Sequence, residues 1–168
     1  VNYLEDKEIV IISDEIYAEL TYGSRHVSIA SYRSIKDKVI LINGFSKAFA
    51  MTGWRVGFVA ANEDILSAMT KIHQYTMLCA STISQMAALE ALKLNAGNGY
   101  QTIENMTSQY DMRRKKLYKA FNEMGLTCFE PKGAFYLFPD IRKTGMTSEE
   151  FCTNLLYEQG VAIVPGTA

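Results

Sequence analysis

The sequence predicts an α/β fold in which a mostly parallel sheet is followed by a smaller α+β unit. Three short apolar runs, rich in β-branched residues, lie at residues 8–13, 38–43 and 55–61. Runs of this length and composition are typical of strands that are buried on both faces of a parallel sheet. Helical patterns fill most of the following sixty or so residues, and this order of elements is typical of α/β domains.

Three helices are predicted after the third run. Asn62 is a suitable N-cap for the first helix, and the second covers residues 84–94. The third helix is long, from residue 99 to residue 124, and Gly125 closes it. The basic residues 113–116 lie within this long helix. A solvated face is favoured over an anion site there, because no glycine or aromatic residue is interleaved.

The last part of the chain contains a different set of predicted elements, with short strands and one helix. Thr147 and Glu150 form a capping box that opens one more helix, and Gly160 ends it. We place a domain boundary within the long helix, which gives residues 1–105 to the larger domain and residues 106–168 to the bridging helix and the smaller unit. Further strands are predicted at residues 126–129, 134–138 and 161–164.

Composition narrows the class of protein. With 48% hydrophobic and 21% charged residues, the chain can form a packed core. A net charge of −1 gives no basic surplus for nucleic acid or an anionic membrane, and the apolar runs are too short to span a bilayer. Scattered cysteines and isolated histidines predict reduced cytosolic thiols and no metal site. Both ends look cut, so we expect a piece of a longer protein.

Lys47 is the first candidate site residue. It lies in a short turn between two apolar runs, with Phe45, Ala48 and Phe49 around it. A lysine nucleophile needs an unprotonated amine, which burial or neighbouring cations favour. These apolar neighbours make a lysine that forms a Schiff base with an aldehyde cofactor a candidate interpretation, although the residues alone do not make it the favoured one. The alternative is an ordinary surface lysine in a loop.

Arg55 and Ser46 are candidates for a phosphate site. A guanidinium group pairs bidentately with phosphate oxygens, and a serine hydroxyl can donate to the same anion. The alternatives are a salt bridge from Arg55 to Asp14 or Glu15, and a turn cap by Ser46. The sequence alone favours neither interpretation.

Asp14 and Tyr17 follow the first apolar run, at the edge where ligands gather in open α/β sheets. A carboxylate beside a pyridine nitrogen keeps that ring protonated, so the ring withdraws electrons from a substrate carbanion. Alternatively, Asp14 caps a short helix and Tyr17 packs in the core. Together with Lys47 and Arg55, these side chains are chemically suited to bind pyridoxal 5′-phosphate.

Residues 43–58 closely resemble the cofactor-lysine signature of class I/II aminotransferases, the aspartate aminotransferase-like branch of the fold type I pyridoxal phosphate enzymes. The likeness is carried by Ser46-Lys47 followed by Met51-Thr52-Gly53-Trp54-Arg55-Val56-Gly57. The chain also resembles other motifs of this family at residues 14–17, 131–136 and 164–166. The resemblance implies part of the large, mostly parallel cofactor-binding domain and the start of the small α+β C-terminal domain. The family's N-terminal and C-terminal parts lie outside this chain.

The resemblance also implies roles for each residue by position. Lys47 would form the internal aldimine and move a proton between the substrate α-carbon and the C4′ atom of the cofactor. Asp14 would pair with the pyridine nitrogen and Tyr17 with the ring hydroxyl oxygen, while Arg55 and Ser46 would bind the phosphate. The family's substrate-carboxylate arginine and glycine-rich phosphate motif lie outside the chain, so the chain alone is expected to be inactive.

The function implied is transfer of an amino group from an amino acid to a 2-oxo acid, in amino acid metabolism. A cytoplasmic homodimer is implied, with residues 79–84 facing the partner. Gly44 departs from the many relatives that carry Ser or Thr there, which removes one phosphate hydroxyl. A β-lyase on the same fold and a non-catalytic binding or dimerisation module are the alternatives.

Overall fold

A computed structural model describes all 168 residues, which divide into two compact units. The first unit contains Val1–Gln109 and Lys132–Ala134, and the second contains Tyr110–Pro131 and Phe135–Ala168. The strands are β1 (Ile11–Asp14), β2 (Val39–Gly44) and β3 (Gly57–Ala60). The helices are α1 (Asn2–Glu5), α2 (Glu63–Thr76), α3 (Thr82–Gly97), α4 (Gln101–Glu123) and α5 (Ser148–Gln159).

The sheet of the first unit has the strand order β1-β2-β3. Strand β1 is parallel to β2, with Asp14 opposite Ile42, whereas β2 is antiparallel to β3, with Gly44 opposite Gly57. The expectation that the third strand is parallel is therefore wrong. A parallel connection needs a crossover segment, usually a helix, but residues 45–56 form only turns and one short 3-10 helix.

Strands β1 and β3 are less buried than predicted. Ile12 of β1 is 68% exposed and Phe58 of β3 is 48% exposed. Along β1, half-buried residues alternate with exposed ones, so one face of the strand is covered and the other is open. The prediction that each run is buried on both faces is therefore wrong for β1 and β3 within this chain, whereas every residue of β2 is buried or half-buried.

The core of the first unit packs beneath the turn that follows β2. Phe45 and Met51 from this turn form a buried cluster with Ala88 of α3. Burying a large apolar side chain stabilises a fold by about 1.5–3 kcal/mol, so α3 helps to hold the turn in place. The largest fully buried side chains of the unit are Leu20, Ile35 and Val39.

The helices begin close to their predicted positions. The Asn62 side chain accepts a hydrogen bond from the Ile65 amide at 3.0 Å, which confirms the predicted N-cap of α2. Helix α3 is longer than predicted, because it begins at Thr82 and continues past Asn95 to Gly97. The buried Asn95 side chain donates to the Ala91 carbonyl at 2.9 Å. Gly125 follows α4 with a φ of +78°, as expected for a helix-closing glycine. None of the helices has both the length and the apolar character needed to cross a membrane.

Arg113, Lys115 and Lys116 are exposed, as predicted for a solvated face, but Arg114 is not. Its guanidinium lies 2.7 Å from an Asp111 carboxylate oxygen and 2.8 Å from one of Glu130, and it donates to the Pro131 carbonyl at 3.0 Å. Burial lowers the pKa of Arg114, but the two acids outweigh burial and raise its pKa above the usual value. Arg114 is therefore a buried, paired cation that fastens α4 to the following loop, not part of a solvated face.

The three strands predicted after α4 are absent. Only single bridges form near them, between Thr21 and Gly133 and between Cys128 and Pro139. A strand is stable only when neighbouring segments form a continuous ladder with it. These apolar segments, at residues 126–129, 134–138 and 161–164, have no such neighbour within the chain.

Helix α5 begins and ends as predicted. The Thr147 hydroxyl accepts a hydrogen bond from the Glu150 amide at 3.3 Å, and the Glu150 carboxylate accepts one from the Thr147 amide at 2.9 Å. Donation by the Thr147 amide and hydroxyl lowers the pKa of Glu150. Gly160 ends the helix with a φ of +67°. The capping box is confirmed in full.

Candidate active site

Two neighbouring strands end at the edge of the sheet where the predicted site residues lie. Asp14 is the last residue of β1, and Gly44 is the last residue of β2. Because these two strands are parallel and paired, their carboxyl ends meet at one edge. The turn after β1 carries Tyr17, and the turn after β2 carries Lys47.

Lys47 and Tyr17 lie close to each other. The Lys47 Nζ atom is 5.7 Å from the centre of the Tyr17 ring, within the range of a cation–π contact. Lys47 is half-buried, and its neighbours Phe45 and Ala48 are buried. The alternative of an ordinary surface lysine in an open loop is therefore disfavoured.

Arg55 and Ser46 are linked across the turn. The Arg55 Nη1 atom donates to the Thr52 carbonyl at 3.0 Å, and the Thr52 hydroxyl donates to the Ser46 carbonyl at 3.0 Å. The predicted alternative, a salt bridge from Arg55 to an acid at the end of β1, is not formed. Arg55 has left-handed backbone angles, φ +52° and ψ +50°, which cost a residue other than glycine about 1–2 kcal/mol.

Asp14 is exposed at the end of β1, and its Oδ1 atom accepts a hydrogen bond from the Ile16 amide at 3.1 Å. It caps a turn over residues 16–19 rather than the short helix considered in the alternative interpretation. Capping is compatible with holding a ligand, because a carboxylate has two oxygens and about four acceptor positions.

Glu15 is a buried acid that sequence reasoning did not single out as a site residue. It is only 6% exposed, and its carboxylate lies 2.8 Å from the Ser28 hydroxyl, 3.1 Å from the Ser13 hydroxyl and 3.0 Å from His26 Nε2. Burial raises the pKa of Glu15, but these three partners outweigh burial and hold its pKa below the ordinary 4.5. The available signal was strand alternation, which puts the residue after Asp14 on the opposite face.

Comparison with known proteins identifies the family. The model for aminotransferase class I and II matches residues 1–168. The chain belongs to this family. It is 48% identical over 165 residues to a putative aminotransferase, YugH, of Bacillus subtilis. It is 45% identical over 168 residues to an aspartate aminotransferase of Pyrococcus abyssi. These matches cover 98% and 99% of this chain but 42% and 43% of the relatives, so the chain spans about two fifths of their length.

Solved structures confirm the fold of this chain. It matches an aromatic aminotransferase from Pyrococcus horikoshii with a TM-score of 0.91 and 46% identity, over 99% of this chain and 44% of that one. It matches an aspartate aminotransferase of Thermus thermophilus, solved with maleate, with a TM-score of 0.91 and 34% identity. That match covers 99% of this chain and 42% of the other. The prediction of a fold type I pyridoxal phosphate enzyme is therefore confirmed.

The chemical groups of the chain fit pyridoxal 5′-phosphate, the cofactor of its family. Lys47 carries an amine that is chemically suited to an aldehyde, and Asp14 and Tyr17 carry a carboxylate and a phenol at the same sheet edge. Arg55 and Ser46 carry a guanidinium and a hydroxyl, which are chemically suited to a phosphate, in the segment between β2 and β3 that also carries the lysine. Each functional group of the cofactor therefore has a chemically suitable residue.

Gly44 lies where two strands approach closely. A Cβ atom at this position would lie 3.0 Å from the Gly57 Cα atom and 3.1 Å from the Val56 carbonyl oxygen. Both distances are shorter than ordinary van der Waals contact. Gly44 offers no hydroxyl to a phosphate, and it lies where β2 and β3 are in tight contact.

Proposed function

We propose that the whole protein is a pyridoxal phosphate-dependent aminotransferase that moves an amino group from an amino acid to a 2-oxo acid. The observation that carries this proposal is that Lys47, Tyr17 and Asp14 converge at the carboxyl ends of two paired strands. Relatives named as aminotransferases of aspartate, of aromatic amino acids and of N-acetyl-LL-diaminopimelate support the reaction class. Because these names differ in substrate, the proposal stops at the class of amino acids and 2-oxo acids.

Each site residue has one proposed role. The bound cofactor supplies an aldehyde and a ring that withdraws electrons from the substrate α-carbon. The Lys47 amine holds the cofactor and, once released, moves the proton at that carbon. The Asp14 carboxylate keeps the ring nitrogen protonated, and the Tyr17 hydroxyl donates to the ring oxygen. Arg55 and Ser46 bind the phosphate.

The backbone around Arg55 supports the phosphate role. Arg55 and Ala50 both have left-handed φ angles of +52° in the segment between β2 and β3. Strained residues of this kind cluster at ligand-binding and active sites, where the surrounding structure holds them. The guanidinium donates to the Thr52 carbonyl and not to an acid, which leaves its charge available for an anion.

We also propose that the whole protein is a cytoplasmic homodimer with residues 79–84 facing its partner. Leu78 is 75% exposed and Ile83 is 74% exposed at the two ends of this segment. Exposed apolar groups close together are typical of interaction surfaces. Cys79, Cys128 and Cys152 are all free thiols, which is typical of a reducing compartment.

The proposal is tested with the whole protein, the cofactor and each amino acid in turn, without a 2-oxo acid acceptor. We expect a change in cofactor absorbance with release of one equivalent of the matching 2-oxo acid. Asp14→Asn should keep the cofactor but lower turnover by about a hundredfold or more, because the ring nitrogen loses its acid partner. Asp64→Asn, an exposed position in α2, is the matched control.

Two results would contradict the proposed function. One is that no amino acid produces any 2-oxo acid from the loaded protein. The other is release of pyruvate from cysteine conjugates without amino transfer, which would favour the β-lyase. The relatives named above are aminotransferases, which favours transfer over the lyase and over a non-catalytic module.

A further inference from the structure

The buried carboxylate of Glu15 directly follows Asp14, the acid that we propose pairs with the cofactor ring nitrogen. Asp14 and Glu15 are consecutive, and consecutive residues at a strand end face opposite sides. Asp14 is exposed at the sheet edge, whereas Glu15 is 6% exposed. The proposed function uses only Asp14, so the buried acid beside it needs a separate explanation.

The carboxylate of Glu15 is held by donors on both oxygens. Oε1 accepts from the Ser28 hydroxyl at 2.8 Å and from the Ser13 hydroxyl at 3.1 Å, and Oε2 lies 3.0 Å from His26 Nε2. Ser28 is itself fixed, because its Oγ accepts from the Ala30 amide at 3.2 Å. A buried acid with this set of donors is ionised and locked in one orientation.

The backbone of Glu15 joins the two parts of the site. Its amide donates to the Ile42 carbonyl of β2 at 2.8 Å, and its carbonyl accepts from the Ala18 amide at 2.9 Å. The first bond fixes the end of β1 against the strand that leads to Lys47. The second closes the turn that contains Tyr17. Glu15 therefore lies at the junction of the three groups proposed to contact the cofactor ring.

We propose that Glu15 is a positioning residue, which holds Asp14 and Tyr17 in register with Lys47 through its hydrogen bonds to Ser28, Ser13 and His26. This inference rests on the proposed function, because it concerns the same cofactor site. Glu15 does not touch the ligand itself. It acts by fixing the strand end and the turn that present the two ring-contacting side chains.

The test compares variants of the whole protein by cofactor affinity, measured by titrating the apoprotein with pyridoxal 5′-phosphate and following absorbance or fluorescence. Glu15→Gln keeps the shape but removes the charge that its donors stabilise. We expect its dissociation constant to rise roughly tenfold, the effect of one charge-assisted hydrogen bond. Glu19→Gln makes the same change of charge at an exposed position of the same segment and should stay within about twofold of the unmodified protein.

A second pair of variants keeps the test decisive if Glu15→Gln does not fold. Ser28→Ala removes one donor to the carboxylate, and Ser28→Thr keeps the hydroxyl. We expect weaker cofactor binding in the first and near-normal binding in the second. The absorbance of the bound cofactor against pH should also shift in Glu15→Gln and Ser28→Ala, because Asp14 no longer sits in its place beside the ring nitrogen.

The outcomes separate this inference from the proposed function. Suppose that the unmodified protein binds the cofactor and reacts with amino acids, and that Glu15→Gln and Ser28→Ala have the same affinity and the same pH titration. The positioning role is then wrong, and the proposed function stands. A lower melting temperature with unchanged affinity would also overturn it, since that is the result of a purely structural role. If the unmodified protein binds no cofactor, both proposals fall together.

Discussion

The turn that carries Lys47 and the first turn of α5 are held in place by different kinds of interaction. At α5, both hydrogen bonds of the capping box join Thr147 and Glu150, which are three residues apart. At the Lys47 turn, Phe45 is buried against Ala88 of a helix that begins far along the chain. A helix start can therefore be recognised in four consecutive residues, whereas the site exists only when the sheet and α3 have assembled.

The two regions also differ in backbone strain. Between β2 and β3, Ala50 and Arg55 take left-handed conformations that disfavour residues with a Cβ atom. At the end of α5 the left-handed position is Gly160, for which the conformation carries no such penalty. Of these two regions, only the candidate active site therefore carries this backbone strain, and the packing of the first unit has to compensate for it.

The largest expected effect comes from breaking the non-local packing. Phe45→Ala should lower the free energy of unfolding by about 3–5 kcal/mol, because it leaves a cavity beneath the Lys47 turn. Cofactor affinity should fall as well, because the turn is no longer held. Urea unfolding and cofactor titration of the whole protein measure both effects.

Phe45→Leu is the matched control, because it keeps most of the apolar volume and should cost less than the alanine variant. If Phe45→Ala unfolds at the same urea concentration as the unmodified protein and binds the cofactor normally, the turn does not depend on α3. The contrast between the two regions would then be wrong.

A smaller effect is expected at the locally stabilised region. Thr147→Ala removes the N-cap of α5 and should cost about 1 kcal/mol of stability, while cofactor affinity stays unchanged. Thr147→Ser keeps the capping hydroxyl and should restore the lost stability. Urea midpoints and the same cofactor titration give both numbers. A loss of affinity as large as that of Phe45→Ala would show that the two regions are coupled.

The same contrast explains which features the sequence could predict. The N-cap at Asn62 and the box at Thr147 depend on neighbouring residues, and both were predicted correctly. The positions of Asp14 and Lys47 after apolar runs were also visible, because short β-branched runs end where strands end. These features need no knowledge of distant parts of the chain.

Features that depend on distant partners were missed. Arg114 is buried because Glu130 and the Pro131 carbonyl join Asp111 around it, and only Asp111 lies within reach along the helix. The partners of Glu15 likewise include His26, which is far enough along the chain to be invisible to a local pattern. The prediction of three strands after α4 was wrong for the same reason. A strand needs a neighbouring strand to form a ladder, and local composition does not reveal whether that neighbour is present.

The central claim is that Lys47 is the residue that binds the cofactor covalently. The most direct measurement is to load the whole protein with pyridoxal 5′-phosphate, reduce it with borohydride and map the modified lysine by mass spectrometry. We predict that the label is concentrated on Lys47, the half-buried amine beside Tyr17. Labelling of exposed amines such as Lys115 and Lys116, with Lys47 unmodified, would contradict the account.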